Sequence, residues 1–166
     1  MKFCLVDRLV SIVPAQSIIM AKNVSIAEEY LDDHFPGFPV LPGVLMLEAS
    51  IQAAAWLVRQ WDGFAHSLIV LKEARGIRYG TFVEPGRELQ VRADVLRLDR
   101  TSSEFKIRGS VGEATAIQGR IELAHLNLAD IDPALASLDK TMIEAMSKLW
   151  KQFDGPHVTI DRDSGP

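Results

Sequence analysis

The sequence predicts an α+β fold in which a sheet wraps one apolar helix and a second helix follows. Segments rich in Val, Ile and Leu, with strand-like alternation, stand on both sides of a breaker-free stretch at 42–60. That stretch carries apolar residues on nearly every face, so it is expected to be buried on most sides. Gly, Pro and Asp punctuate the remainder at short intervals, as turns between strands do. Two strands, one buried helix and four more strands make a sheet that closes around the helix.

In chain order, residues 2–13 and 16–25 read as two strands parted by Pro14 and Ala15. Residues 32–43 hold Pro36, Pro39 and Pro42 together with Gly37 and Gly43, and form a stiff irregular loop. The helix at 42–60 is rich in Ala, Leu and Met and opens on Pro42, which suits a first helical turn. Strands follow near 66–78, 87–99, 103–112 and 115–126, with turns at Glu84-Pro85-Gly86, at 100–103 and at Val111-Gly112-Glu113. A second helical pattern at 133–153 gathers Leu135, Leu138, Met142, Met146, Leu149, Trp150 and Phe153 near one face. From Asp154 onward a frayed tail is expected. The chain thus divides into a domain at 1–128 and a helical extension with its tail at 129–166.

The length of 166 residues and a hydrophobic fraction of 48% suit a single core. Net charge is −4, with 18 basic and 22 acidic residues intermixed, so no basic block marks a nucleic-acid partner. The longest apolar stretch, at 44–58, is broken by Glu48, Ser50 and Gln52 and falls short of a membrane span. The apolar run at 3–6 is too short for a signal peptide, and Cys4, the only cysteine, precludes an internal disulfide. A soluble cytoplasmic protein with no membrane partner is expected.

Glu48 is the first chemical anomaly, being the only charged residue between Gly43 and Val58. A carboxylate inside apolar surroundings costs several kcal/mol unless it is partnered or protonated, and a site that favours the protonated form suits proton delivery. Gln52, one turn on, lies over Glu48 and can orient it. The alternative is a purely structural carboxyl bonded to backbone or to an Arg. His34 opens the proline-braced loop, and an imidazole is a ready proton acceptor at neutral pH. A surface His is the plain alternative, and Asp32, Asp33 and His34 also permit a metal reading, although no second His stands at ligand spacing. At the helix start, the N–H groups around Gly43 and Val44 lack intrahelical partners and stand at the positive end of the dipole, in outline an oxyanion site, with an ordinary helix start as the plain alternative. A base, an acid and an oxyanion site within so short a stretch suit removal of an α-proton beside a thioester carbonyl with loss of a β-hydroxyl. No metal, nucleotide or redox cofactor is required for that chemistry.

The run from His34 to Ala49, HFPGFPVLPGVLMLEA, followed by Gln52, resembles the active-site signature of the 3-hydroxyacyl-acyl-carrier-protein dehydratases, including the 14-residue interval between His34 and Glu48. Leu5-Val6-Asp7-Arg8, Lys22-Asn23-Val24-Ser25, Lys72-Glu73-Ala74-Arg75 and Val83-Glu84-Pro85-Gly86 extend the likeness over about residues 3–126. The resemblance implies the hotdog fold, an antiparallel sheet around a long central helix, and no cofactor. It implies His34 as catalytic base, Glu48 as acid, and Gly43, Val44, Gln52, Phe35 and Pro36 in contact with the substrate. It also implies an acyl carrier protein as partner, and a homodimer or trimer of dimers in which His34 of one chain meets Glu48 of the other. Lys72, Arg75 and Arg78 are the candidates to receive the acidic carrier, with a merely solvated strand edge as the alternative.

Three departures from the family pattern stand out. The short opening helix of the family has no counterpart before Leu5, the link at 76–82 is longer, and the helix at 133–153 is additional, expected to pack on the chain's own dimer, with a dedicated partner-binding role as the alternative. Two rival functions share the fold: an acyl-thioester hydrolase, whose helix carboxylate activates water, and a non-catalytic acyl-binding or assembly subunit.

Overall fold

The computed structural model describes residues 4–33, 37–153 and 159–160. Strands β1 (Arg8–Val13) and β2 (Ser17–Asn23) form a hairpin, the single turn α1 (Tyr30–Asp33) follows, and the central helix α2 runs over Gly43–Trp61. Four strands then come in succession: β3 (Leu68–Tyr79), β4 (Glu88–Leu98), β5 (Ser102–Val111) and β6 (Ala114–Leu126). Two 3₁₀ turns lead into α3 (Ala136–Phe153), and β7 (Thr159–Ile160) closes the described chain. The sheet order is β3-β6-β5-β4-β2-β1-β7. Every pairing is antiparallel except that of β7 with β1. This is the hotdog arrangement, with α2 lying in the curve of the sheet.

Alternation explains which strand face meets the helix. In β5, Ser103, Phe105, Ile107, Gly109 and Val111 point inward and are buried, while their neighbours are more exposed. Ile18, Met20, Leu89, Ile107, Ile117 and Leu123 complete the layer, and burial of each such side chain contributes about 1.5–3 kcal/mol. On the helix side Ala49, Ala53, Ala54 and Leu57 are fully sealed, and the small alanines let the helix approach the sheet closely.

The sequence reading needs correction in four places. Strand β1 begins at Arg8, not at residue 2, because the Leu5 N–H is taken by the Gln52 side chain of α2 (2.8 Å) and not by a neighbouring strand. Pro42 caps α2 from outside, and Gly43 is the first helical residue. The pattern at 133–153 starts as a 3₁₀ turn over Pro133–Leu135, capped by Asp132, before α3 begins. The tail does not simply fray: Thr159 and Ile160 pair in parallel with Ser11 and Ile12. Among the described residues no helix is long and apolar enough to cross a membrane.

Candidate active site

The loop before α2 is fastened at its far end. The Leu41 N–H donates to the Val83 carbonyl (2.8 Å), and the Phe38 ring meets Phe82 edge-on with centroids 5.5 Å apart. The Pro42 carbonyl accepts from the N–H groups of Leu45 (2.9 Å) and Met46 (3.2 Å). The N–H groups of Gly43 and Val44 have no acceptor among the described residues, so two aligned donors remain at the positive end of the helix dipole. Gly43 has a packing requirement as well: a Cβ there would stand 3.0 Å from Cε1 of Tyr79, whose ring lies across the helix start and is 51% exposed.

One turn further, Gln52 Nε2 donates to Glu48 Oε1 (2.8 Å), while Gln52 Oε1 accepts the Leu5 N–H. The second bond fixes which end of the amide faces the carboxyl. Glu48 is half-buried, not sealed in the core as the composition of the helix suggests. Glu48, Gln52, Ala55 and Arg59 recur every three to four residues along one stripe of α2, and there a cavity of about 370 Å³ opens. This stripe of α2 lines it together with Ile51 and Trp56 of the same helix, and Cys4, Ile69, Met146 and Leu149 form the rest of its wall. Its volume falls in the roughly 300–1,000 Å³ range of small-molecule sites.

The structure therefore brings Glu48 and Gln52 together on one face, with Gly43 and Val44 one turn before them. His34, Phe35 and Pro36 lie outside the described residues, as does the metal reading that depends on His34. Among the described residues no group of three or more His, Cys, Asp or Glu side chains is arranged to hold a metal ion.

Several cavity residues escaped sequence reasoning. Arg59 stands at the end of the stripe with its guanidinium 5.4 Å from the Trp56 ring centre, and burial brings it down to about 10, partly opposed by Asp62. Its spacing from Glu48 along one helix face was a readable signal. Met146 and Leu149 belonged to a recognisable apolar face whose target surface no periodicity can name. At the far end of α2, Ser103 Oγ and His125 Nε2 lie 2.8 Å apart, but Ser103 is 0% exposed, so the pair ties β5 to β6 and offers no nucleophile. Burial lowers the His125 imidazole below its ordinary value, while the Arg100 carbonyl pulls the other way.

Comparison with known proteins places the chain in a family. Residues 1–120 match the FabA-like domain. The 3-hydroxyacyl-[acyl-carrier-protein] dehydratase FabZ of Myxococcus xanthus (strain DK1622) is 43% identical over 134 residues, which is 80% of this chain and 87% of the relative. The chain belongs to the FabA-like dehydratase family. The dehydratase FabZ of Janthinobacterium sp. (strain Marseille) is a further relative, 35% identical over 78% of this chain and 85% of its own length. Among solved structures, a chain of the dehydratase heterocomplex ApeI:P from Xenorhabdus doucetiae superposes with a TM-score of 0.65 at 20% identity, covering 80% of this chain and 89% of that one. An uncharacterized protein of Pyrococcus horikoshii reaches 0.58 at 13% identity over 76% and 87%. These two share the fold of this dehydratase family member. Helix α3 lies beyond the residues that the FabA-like domain matches.

Proposed function

We propose that the chain is a hydro-lyase that dehydrates 3-hydroxyacyl thioesters, carried on acyl carrier protein, to trans-2-enoyl thioesters in fatty acid biosynthesis. The observation that carries this reading is Glu48, a carboxylate steered by Gln52 onto the wall of an apolar cavity, one turn from the open N–H groups of α2, in a chain of the dehydratase family. His34 removes the α-proton, the double bond forms as the C3–O bond breaks, and Glu48 protonates the departing hydroxyl, which leaves as water. The Gly43 and Val44 N–H groups hold the thioester oxygen where negative charge develops. Phe35 and Pro36 flank the base and contact the acyl group. The imidazolium then returns its proton to Glu48.

Domain 1–128 carries this chemistry, and 129–166 is an appended extension. The 12-residue edge strand β3 has no partner on its outer side among the described residues and leaves Val70, Leu71 and Tyr79 exposed, which supports a homodimer joined along β3, alone or as a trimer of dimers. Each site then takes His34 from one chain and Glu48 from the other. For carrier docking, Lys72 and Arg75 are engaged by Glu122 and Glu73. Arg78 makes no ion pair among the described residues and shares a shallow groove with Lys106, Arg108 and Arg120, which supports it as the cation that meets the acidic carrier. A cytoplasmic location accompanies this reading.

Purified protein is expected to hydrate a trans-2-enoyl thioester in the reverse assay. His34→Ala and Glu48→Gln each lose about 100-fold or more, as general acid-base groups do. Mixing the two variants restores activity if the site is shared between chains. Wild-type rates in both variants would overturn the roles, and release of free thiol in place of hydration would select the hydrolase.

A further inference from the structure

We propose that α3 is the roof of the acyl pocket and that Met146 and Leu149, on its underside, set the length of acyl chain the enzyme accepts; this rests on the dehydratase reading of Glu48. The cavity that reaches Glu48 and Gln52 runs along α2 to Trp56 and Arg59, and eleven helical steps span about 16 Å. Its head is polar and its middle is apolar, with Ile51 and Ala55 below and Met146 and Leu149 above. That order matches a thioester followed by a hydrocarbon chain.

α3 is held over this space from both ends. At its first turn, the Asp139 carboxylate accepts the N–H groups of Leu128 (2.9 Å) and Ala129 (2.8 Å) and the Ser67 hydroxyl. At its last turn, Trp150 stacks on Trp56 with ring centres 5.7 Å apart, and Phe153 meets the same indole edge-on at 5.2 Å. Met146 and Leu149 lie between the two anchors, where neither clamp needs them, and they face the cavity instead. A helix pinned so firmly presents a rigid wall, and rigid apolar walls discriminate by length: one methylene too many or too few is worth roughly 10- to 200-fold in kcat/KM. Because α3 lies outside residues 1–120 of the FabA-like match, this selectivity comes from an element added to the common domain.

The test is the ratio of kcat/KM for long against short chains, measured in the hydration direction over a series of enoyl thioesters from crotonyl to dodecenoyl. In Leu149→Ala and Met146→Ala the ratio is expected to rise by about tenfold or more for chains just beyond the wild-type limit. In Leu149→Phe it is expected to fall by a similar factor, a result that decides the matter even if the cavity-forming variants do not fold. Lys148→Ala, on the exposed side of α3, serves as control with the wild-type ratio. Active wild-type enzyme whose length profile is the same in the alanine and phenylalanine variants would overturn the roof and leave the dehydratase standing. Wild-type protein inactive on every chain length would overturn the dehydratase reading itself.

Discussion

Among the described residues, Gln52 serves two separate partners with one side chain. Its amide oxygen holds the Leu5 N–H and its amide nitrogen holds Glu48, so it links the opening segment of the chain to the proposed acid. Gln52→Ala leaves a part-buried backbone donor without its acceptor, at a cost of about 1–3 kcal/mol, which a urea titration will read as a lower midpoint. The same variant should lower kcat more than it raises KM, because the carboxyl loses its orientation while the cavity remains. Gln52→Glu is the informative companion: it can still accept from Leu5 but sets a second carboxylate beside the first, so stability recovers only in part and activity does not. At this scale the sequence was legible where chemistry is unusual. Glu48 stands out as the lone charge in an apolar helix, whereas Tyr79 lies far along the chain from Gly43, and nothing local says that its ring crosses the helix start.

Among the elements, α3 depends most on one carboxylate. Burial alone would raise the Asp139 carboxyl, but the Ser67 hydroxyl and the N–H groups of Ala129 and Leu128 outweigh it, and the net effect holds the group below its ordinary range. A carboxyl depressed in the folded state adds stability above its unfolded value and loses it as pH falls through the depressed folded value, since the unfolded chain then binds the proton more readily. Docking of α3 should therefore weaken in acid before the sheet does. Amide hydrogen exchange compared between neutral pH and pH below about 4 is expected to show protection falling more in 136–153 than in β5. Asp139→Asn should show the same loosening already at neutral pH, with β5 unchanged. The helices and strands themselves were largely visible in the sequence, since alternation in β5 and the unbroken apolar run of α2 are strong local signals. β7 was not, because two residues carry no periodicity and their pairing with β1 joins the two ends of the chain. The surface that α3 covers was hidden for a related reason: an apolar face announces that it will be buried but not against what.

For the whole molecule, the two edges of the sheet differ. β3 presents a long open edge with apolar side chains beside it, so the protein is expected to sediment as a dimer or a multiple of one. Placing acids there, with Val70→Asp and Leu71→Asp together, should shift sedimentation toward the monomer and, in the proposed shared site, abolish activity for want of the partner's His34. A folded, active monomer would refute the shared site. Legibility ended at this level: the family resemblance implied two chains per site, but no single-chain pattern could separate an exposed edge from one that is paired. The opposite edge carries Thr159 and Ile160 against Ser11 and Ile12. A sheet open on both sides could recruit strands without end, each added chain offering a fresh edge to the next. With Ser11 and Ile12 already paired to β7, the stretch of β1 left for another chain to pair with is short, whereas β3 offers its whole length, so strand addition is favoured on the β3 side.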